Sequence, residues 1–279
     1  MLSQTRLLVV RVVVLLLLTA GTLARGQVLL GDEVLERWRP AAAQQTLELD
    51  YRPWSELLST YLDNSHPSGI ALFNYKAVTA ADRKRLQAFI DYLASLPLAQ
   101  LTPMQQKAYW INLYNALTVR VILDNPGVAS IREIESSWFS PGPWGLDVVE
   151  IDGSALTLDD IEHRILRPIF GDPRIHFAVN CASLGCPDLG AQPYLASNLD
   201  QQLDAATSQF INHPRGASIK GDTLKLSSIF KWYGDDFGDS VPVRLKWIAA
   251  YADPALAEQL DRWDGRIRYD YDWDLNAAP

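Results

Sequence analysis

Arg174-Ile175-His176-Phe177-Ala178-Val179-Asn180-Cys181-Ala182-Ser183-Leu184-Gly185-Cys186-Pro187 decides how this chain is read. Ile175 to Asn180 is a β-like run that delivers Cys181 into a short loop ending at Cys186-Pro187. Side chains alternate along a strand, so Ile175, Phe177 and Val179 would share one face, and His176, Ala178 and Asn180 the other. Just upstream, Thr157-Leu158-Asp159-Asp160 opens a helix carrying Glu162, His163, Arg164 and Arg167, and Pro168 is expected to close it.

Further out the pattern stays mixed. Trp54 to Asp63 reads as a short helix, and Thr79 to Leu96 as a longer one with Leu86, Phe89, Ile90 and Leu93 on one face. Thr102-Pro103-Met104-Gln105 combines a capping residue, a first-turn proline and a capping-box partner. The helix it starts runs to about Leu123 and is apolar nearly all round, which predicts burial. Val148 to Ile151 before Asp152-Gly153 is a hairpin signal, as is Ile219 to Leu224. Ser197 to Asn212 is an amphipathic helix, three short helices follow over 227–264, and Ile267 to Trp273 alternates as a strand with one aromatic face. Hairpins join these elements without a βαβ rhythm. The predicted fold is α+β, a helix-rich single domain with a small, mostly antiparallel sheet.

The N-terminus has its own signature. Arg6 and Arg11 precede the apolar run Val12 to Leu18 and small residues follow, which is the layout of a secretory signal peptide. Cleavage is expected before Gln27, with cleavage after Ala24 as the rival. The mature protein would be periplasmic or extracellular, without a stable membrane anchor. The expected organisation is a signal peptide over 1–26, a helical extension over 27–100, a core domain over 101–213, and over 214–279 a hairpin, helices and terminal strand packed on that core. A formal net charge of -8 argues against nucleic acid or anionic membrane as partners.

Chemistry concentrates in few residues. The chain has two cysteines and four histidines, so no metal site and no cofactor is implied. In an exported chain Cys181 and Cys186 would most simply form a disulfide. Alternatively Cys181 is a free thiol, activated by His163, His176, Arg164 or Arg174, or both cysteines are buried, inert thiols. Glu162 and His163 are adjacent on their helix and do not face each other, so Glu162 should orient another group. Asn112 and Asn115 lie inside an apolar helix, where a buried amide needs partners. Phe230 to Phe237 is dense in aromatics, which suits core packing or a groove for a sugar or peptide.

Taken in order, Lys107 to Leu117, Leu158 to Arg167, Asp172 to Cys181 with Ser183, Cys186 and Pro187, and Phe230 to Tyr233 with Asp236-Phe237 resemble the domain of unknown function 547 family. The match is densest from Pro103 to Asn212. The resemblance carries no activity; it implies that the Glu-His helix and the His–Cys–Cys segment belong to one site. That site would gather Asn112, Asn115, Glu162, His163, Arg174, His176, Asn180 and Cys181.

Two functions fit. One is a cysteine-dependent hydrolase or acyl transferase, with Cys181 as nucleophile, His163 or His176 as base, and Glu162 or Asn180 as orienter. The other is a non-catalytic module that binds a ligand or peptide, its loop stiffened by the Cys181–Cys186 disulfide.

Overall fold

A computed structural model describes residues 37–40, 47–134 and 142–279. The chain divides into two compact units, Met1–Arg39 and Pro40–Pro279. The signal-peptide stretch lies outside the described residues, as does much of the expected extension between 27 and 46.

The first layer of the larger unit is helical. α1 (Arg52–Tyr61) leads into a two-stranded antiparallel pair, β1 (Leu62–Asp63) and β2 (Leu72–Phe73), and α2 (Ala80–Ala94) comes next. The predicted face of Leu86, Phe89, Ile90 and Leu93 is the buried one. α3 (Pro103–Asp124) starts with the expected capping box between Thr102 and Gln105. It is buried on nearly all sides, so it forms the axis on which the other elements pack.

The hairpin β3 (Val149–Ile151) and β4 (Ser154–Leu156) turns at Asp152-Gly153, both with positive φ, as a two-residue turn requires. α4 then covers Asp160–Leu166 and Arg167–Phe170. Pro168 does not close it. The first part is a π-helix, in which the Arg167 N–H bonds five residues back to Glu162, and the helix ends instead at Gly171, in left-handed conformation.

The expected strand from Ile175 to Asn180 is also replaced. Pro173–Phe177 forms 3-10 turns, with the Asp172 side chain accepting from the Arg174 N–H. Asp-Pro is a cap followed by a first-turn proline, and here this local signal overrides the β-like composition after it.

α5 (Leu199–Asn212) leads to the hairpin β5 (Ala217–Lys220) and β6 (Thr223–Ser227). Four short helices come after it: α6 (Ile229–Trp232), α7 (Gly234–Phe237), α8 (Val241–Ala249) and α9 (Pro254–Asp261). The crossover they make lets β7 (Arg266–Asp270) join β6 in parallel, whereas the other pairs of described strands are antiparallel. The fold is α+β, with small sheets at the margins of a helical core.

A second cluster of buried apolar residues ties the halves together. Phe177 packs against Phe210 of α5, Phe230 of α6, Phe237 of α7 and Trp247 of α8, with ring centroids 5.4–5.9 Å apart. The tail beyond β7 then returns along the cysteine loop. Leu184 and Gly185 donate their N–H groups to Asp274 and Asp272, and Asn276 donates to Ala182. Gly185 is required there: a Cβ would lie 2.6 Å from the Asp272 nitrogen and 2.8 Å from its oxygen.

Candidate functional site

A cavity of about 250 Å³ opens where α4, the cysteine loop, α6 and the tail meet. Glu162, His163, His176, Cys181 and Cys186 all line it. Asn112, Asn115, Arg174 and Asn180 do not, and the structure shows what they do instead.

Asn115 stands in for a missing strand neighbour. Its carboxamide donates to the Ala178 carbonyl at 2.9 Å and accepts from the Asn180 N–H at 2.8 Å. A β-ladder would satisfy these two backbone groups in the same way. Asn112 does the same for Tyr194, donating at 2.8 Å and accepting at 3.0 Å. Asn180 shapes the cysteine loop, accepting from the Ala182 N–H and donating to the Pro187 carbonyl. Asn115→Ala should therefore cost about 2 kcal/mol, since it orphans two buried backbone groups. Urea unfolding measures this, and a loss below about 0.5 kcal/mol would mean that water replaces the amide.

Arg174 is bound to Asp172, Asp200 and Asp204 at 2.7–2.8 Å, with its charge fully answered. Lys107 also pairs with Asp172. Burial works to raise the Asp172 carboxyl, but Arg174 and Lys107 bring its pKa down to about 2. This network fixes the 3-10 turns that present His176.

His176 is clamped between two carboxylates. Its Nε2 donates to Asp236 Oδ2 at 2.6 Å, and its Nδ1 faces Glu162 Oε1 at 3.6 Å. Its ring stacks on Tyr233, with centroids 4.3 Å apart. Asp236 also receives a two-pronged hydrogen bond from Arg167, at 2.7 and 2.9 Å, and Tyr114 donates to Glu162 Oε2 at 3.1 Å. Burial would lower the imidazole pKa, yet Asp236 first and Glu162 second raise it above its ordinary value. The carboxylates go the other way. Burial opposes their ionisation, but His176 and its neighbours hold both Glu162 and Asp236 below their usual range.

The signs fix the pH response. The His176 contribution is complete below its unfolded pKa and is lost as pH rises through the raised folded value. The Glu162 and Asp236 contributions are complete above their unfolded values and are lost as pH falls through the lowered ones. Stability should peak between about pH 4.5 and 6.5 and fall on both sides. Denaturation midpoints across pH 3–9 test it; a profile flat from pH 5 to 9 would contradict the clamp.

His163 sits nearer the mouth. Arg167 Nη1 lies 3.4 Å from its Nδ1, and a guanidinium can only donate, so the ring proton belongs on Nε2, 3.7 Å from Asp159. Glu162 thus faces His176 more closely than its chain neighbour His163, which lies 4.0 Å away.

Cys181 and Cys186 are free thiols, which corrects the expected disulfide. Cys186 is buried and accepts the Cys181 N–H at 2.9 Å, so the loop closes through a hydrogen bond to sulfur. Cys181 is partly exposed, and its Sγ lies 3.0 Å from both Ser183 Oγ and Tyr271 Oη. Neither histidine hydrogen-bonds it, and both ring nitrogens of His176 face carboxylates. The Cys186 thiol is the largest influence on Cys181; burial opposes it, the Ser183 and Tyr271 hydroxyls assist, and the pKa falls below the ordinary thiol value. Burial first, and the neighbouring thiol second, push Cys186 well up. Ala182 comes next in the loop at φ +60, a left-handed conformation that costs a non-glycine residue about 1 kcal/mol and clusters at functional sites.

Sequence reasoning missed Asp236, Tyr271, Trp144 and Trp273 as parts of the site, and left Trp232 and Tyr233 between core and groove. The dense stretch from Phe230 to Phe237 divides. Phe230 and Phe237 enter the core, while Trp232 and Tyr233 line the cavity.

No curated protein and no solved structure matches the chain. Residues 98–211 match the family described as Protein of unknown function, DUF547. That segment contains α3 with its asparagines, the Glu162–His163 helix and the cysteine loop, so the likeness to this family covers parts of the chain that build the cavity.

Proposed function

We propose that this is an exported thiol enzyme that transfers or hydrolyses acyl groups through Cys181. Export rests on the basic residues and apolar run at the N-terminus. Acyl transfer rests on one observation: a partly exposed Cys181 sulfur, in a cavity, held 3.0 Å from two hydroxyls. These donors favour the thiolate, which is the nucleophilic form.

The thiolate forms a C–S bond to the carbonyl carbon, and the carbonyl electron pair moves to oxygen. Once sulfur is acylated, Ser183 and Tyr271 are free to donate to that oxygen. The bond to the departing amine or alcohol then breaks, and that group takes from solvent the proton that the Cys181 thiol released there. Water or a second acceptor attacks the thioester, its proton passes to solvent, and the C–S bond breaks to restore the thiolate.

A second reading, a binding pocket without catalysis, has its own support. The backbone N–H groups of Cys181, Ala182, Leu184, Gly185 and Cys186 are all engaged, which leaves at most the Ser183 N–H of this loop for an oxyanion. Intact-mass analysis after exposure to p-nitrophenyl acetate separates the two. Acyl transfer predicts one acetyl adduct on Cys181, absent in Cys181→Ala. No adduct above that of Cys181→Ala favours the binding pocket.

A further inference from the structure

The lining of the cavity is selective in charge. Among the described residues it contains no lysine or arginine, yet it contains two carboxylates, Asp159 and Glu162. Glu162 is answered by His176 and Tyr114. Asp159 has less support: its side chain is about half exposed, and it faces His163 Nε2 at 3.7 Å. Burial raises the Asp159 pKa above its ordinary value; His163 opposes this, and the Glu162 and Asp160 carboxylates add to it.

The same cavity is lined by a continuous aromatic wall. Trp232, Tyr271 and Trp273 contact one another with centroids 4.6–5.6 Å apart, and Trp144 extends the wall at 5.9 Å from Trp273. Trp232 is 46% exposed, although large aromatic side chains gain by burial. Two lining rings already carry cations of the protein itself: Arg132 lies 5.0 Å from the Trp273 centroid, and Arg167 lies 5.0 Å from that of Tyr233. Electron-rich ring faces in one cavity with a half-exposed carboxylate attract a cation with an apolar body and disfavour a phosphate or carboxylate.

We infer that the cavity is the binding site of an ammonium-bearing ligand, its charge beside Asp159 and its methylene or methyl groups on the Trp232–Tyr271–Trp273 wall. As the identity of the substrate, this rests on the acyl-transfer reading: the acyl donor would carry its amine within reach of this wall while its carbonyl meets Cys181. As a binding site, it does not need the thiol.

Calorimetric titration with choline and with its neutral isostere, 3,3-dimethylbutan-1-ol, tests it on the full chain and on Cys181→Ser. Choline should saturate one site on both proteins. The isostere should bind at least about tenfold more weakly, since only charge differs. Asp159→Asn, isosteric and at a half-exposed position, should erase most of that ratio, and Trp232→Ala should weaken both ligands. Equal affinity for the two ligands overturns the inference, as does choline binding that neither Asp159→Asn nor Trp232→Ala affects. Failure of the two readings is distinguishable. Charge-selective binding without an acetyl adduct on Cys181 supports the cation site and retires only the nucleophile. An adduct without charge selectivity retires the cation site and leaves the nucleophile.

Discussion

Asp236→Ala should destabilise the protein by about 3 kcal/mol and disorder the wall of the cavity. Asp236 accepts hydrogen bonds from both Arg167 and His176, and the His176 side chain is only 1% exposed. Without Asp236, a buried imidazolium and a partly buried guanidinium both lie against the Tyr233 ring with Glu162 as the remaining counter-charge. Breaking a buried pair by removing one partner is expensive because the other charge stays behind. The figure is set at the low end because Asp236 is 26% exposed and water can partly replace it. Chemical denaturation at pH 6 reads the loss directly. Asp236→Asn should recover part of it by keeping a hydrogen-bond acceptor, and a loss under about 1 kcal/mol for the alanine variant would mean that Glu162 alone holds His176.

Phe177→Ala should cost about 3–5 kcal/mol, the range for emptying a large aromatic site in a core. Phe177 is fully buried and touches aromatic rings from α5, α6, α7 and α8. It is also the residue next to His176, and both rings pack on Phe237, so the cavity left by alanine loosens a ring that supports the clamped imidazole. The variant should show a lower denaturation midpoint and a loosened C-terminal segment, read as faster amide exchange over α6 to α8. Unchanged stability would contradict the view that residues 214–279 share one core with the segment before them.

Much of the fold is legible in the sequence where the signals are local. The capping box at Thr102, the all-round apolar helix after it, the two hairpins and the amphipathic α5 are each specified by neighbouring residues. The failures are equally physical. The run from Ile175 to Asn180 has strand composition, but Asp172-Pro173 starts 3-10 turns, and the Asn115 amide satisfies the backbone that a strand partner would have bonded. Pro168 reads as a stop, yet a π-helix carries the chain past it. The cavity draws Glu162, His163, His176 and Cys181 together, residues already grouped by type and proximity in sequence. Asp236 and Tyr271 are distant in sequence and reach the site only through tertiary packing. An aspartate inside an aromatic run, as at Asp236, was the available signal for one of them. The asparagines left two readings open, a polar pocket or bonds to a neighbouring loop, and the structure shows the backbone bonds.

If Cys181 is the hydroxyl-supported, reactive thiol of the pair, the two cysteines must differ in how fast they alkylate. The most direct test is the rate of iodoacetamide alkylation of each cysteine, without reductant, across pH 5–9, resolved by peptide mapping. Cys181 should react first, with a rate that rises at a pH below the ordinary thiol value of about 8.5, and Cys186 should stay protected until the protein unfolds. Alkylation of neither thiol before reduction, or equal alkylation of both with an ordinary thiol profile, would contradict a reactive Cys181.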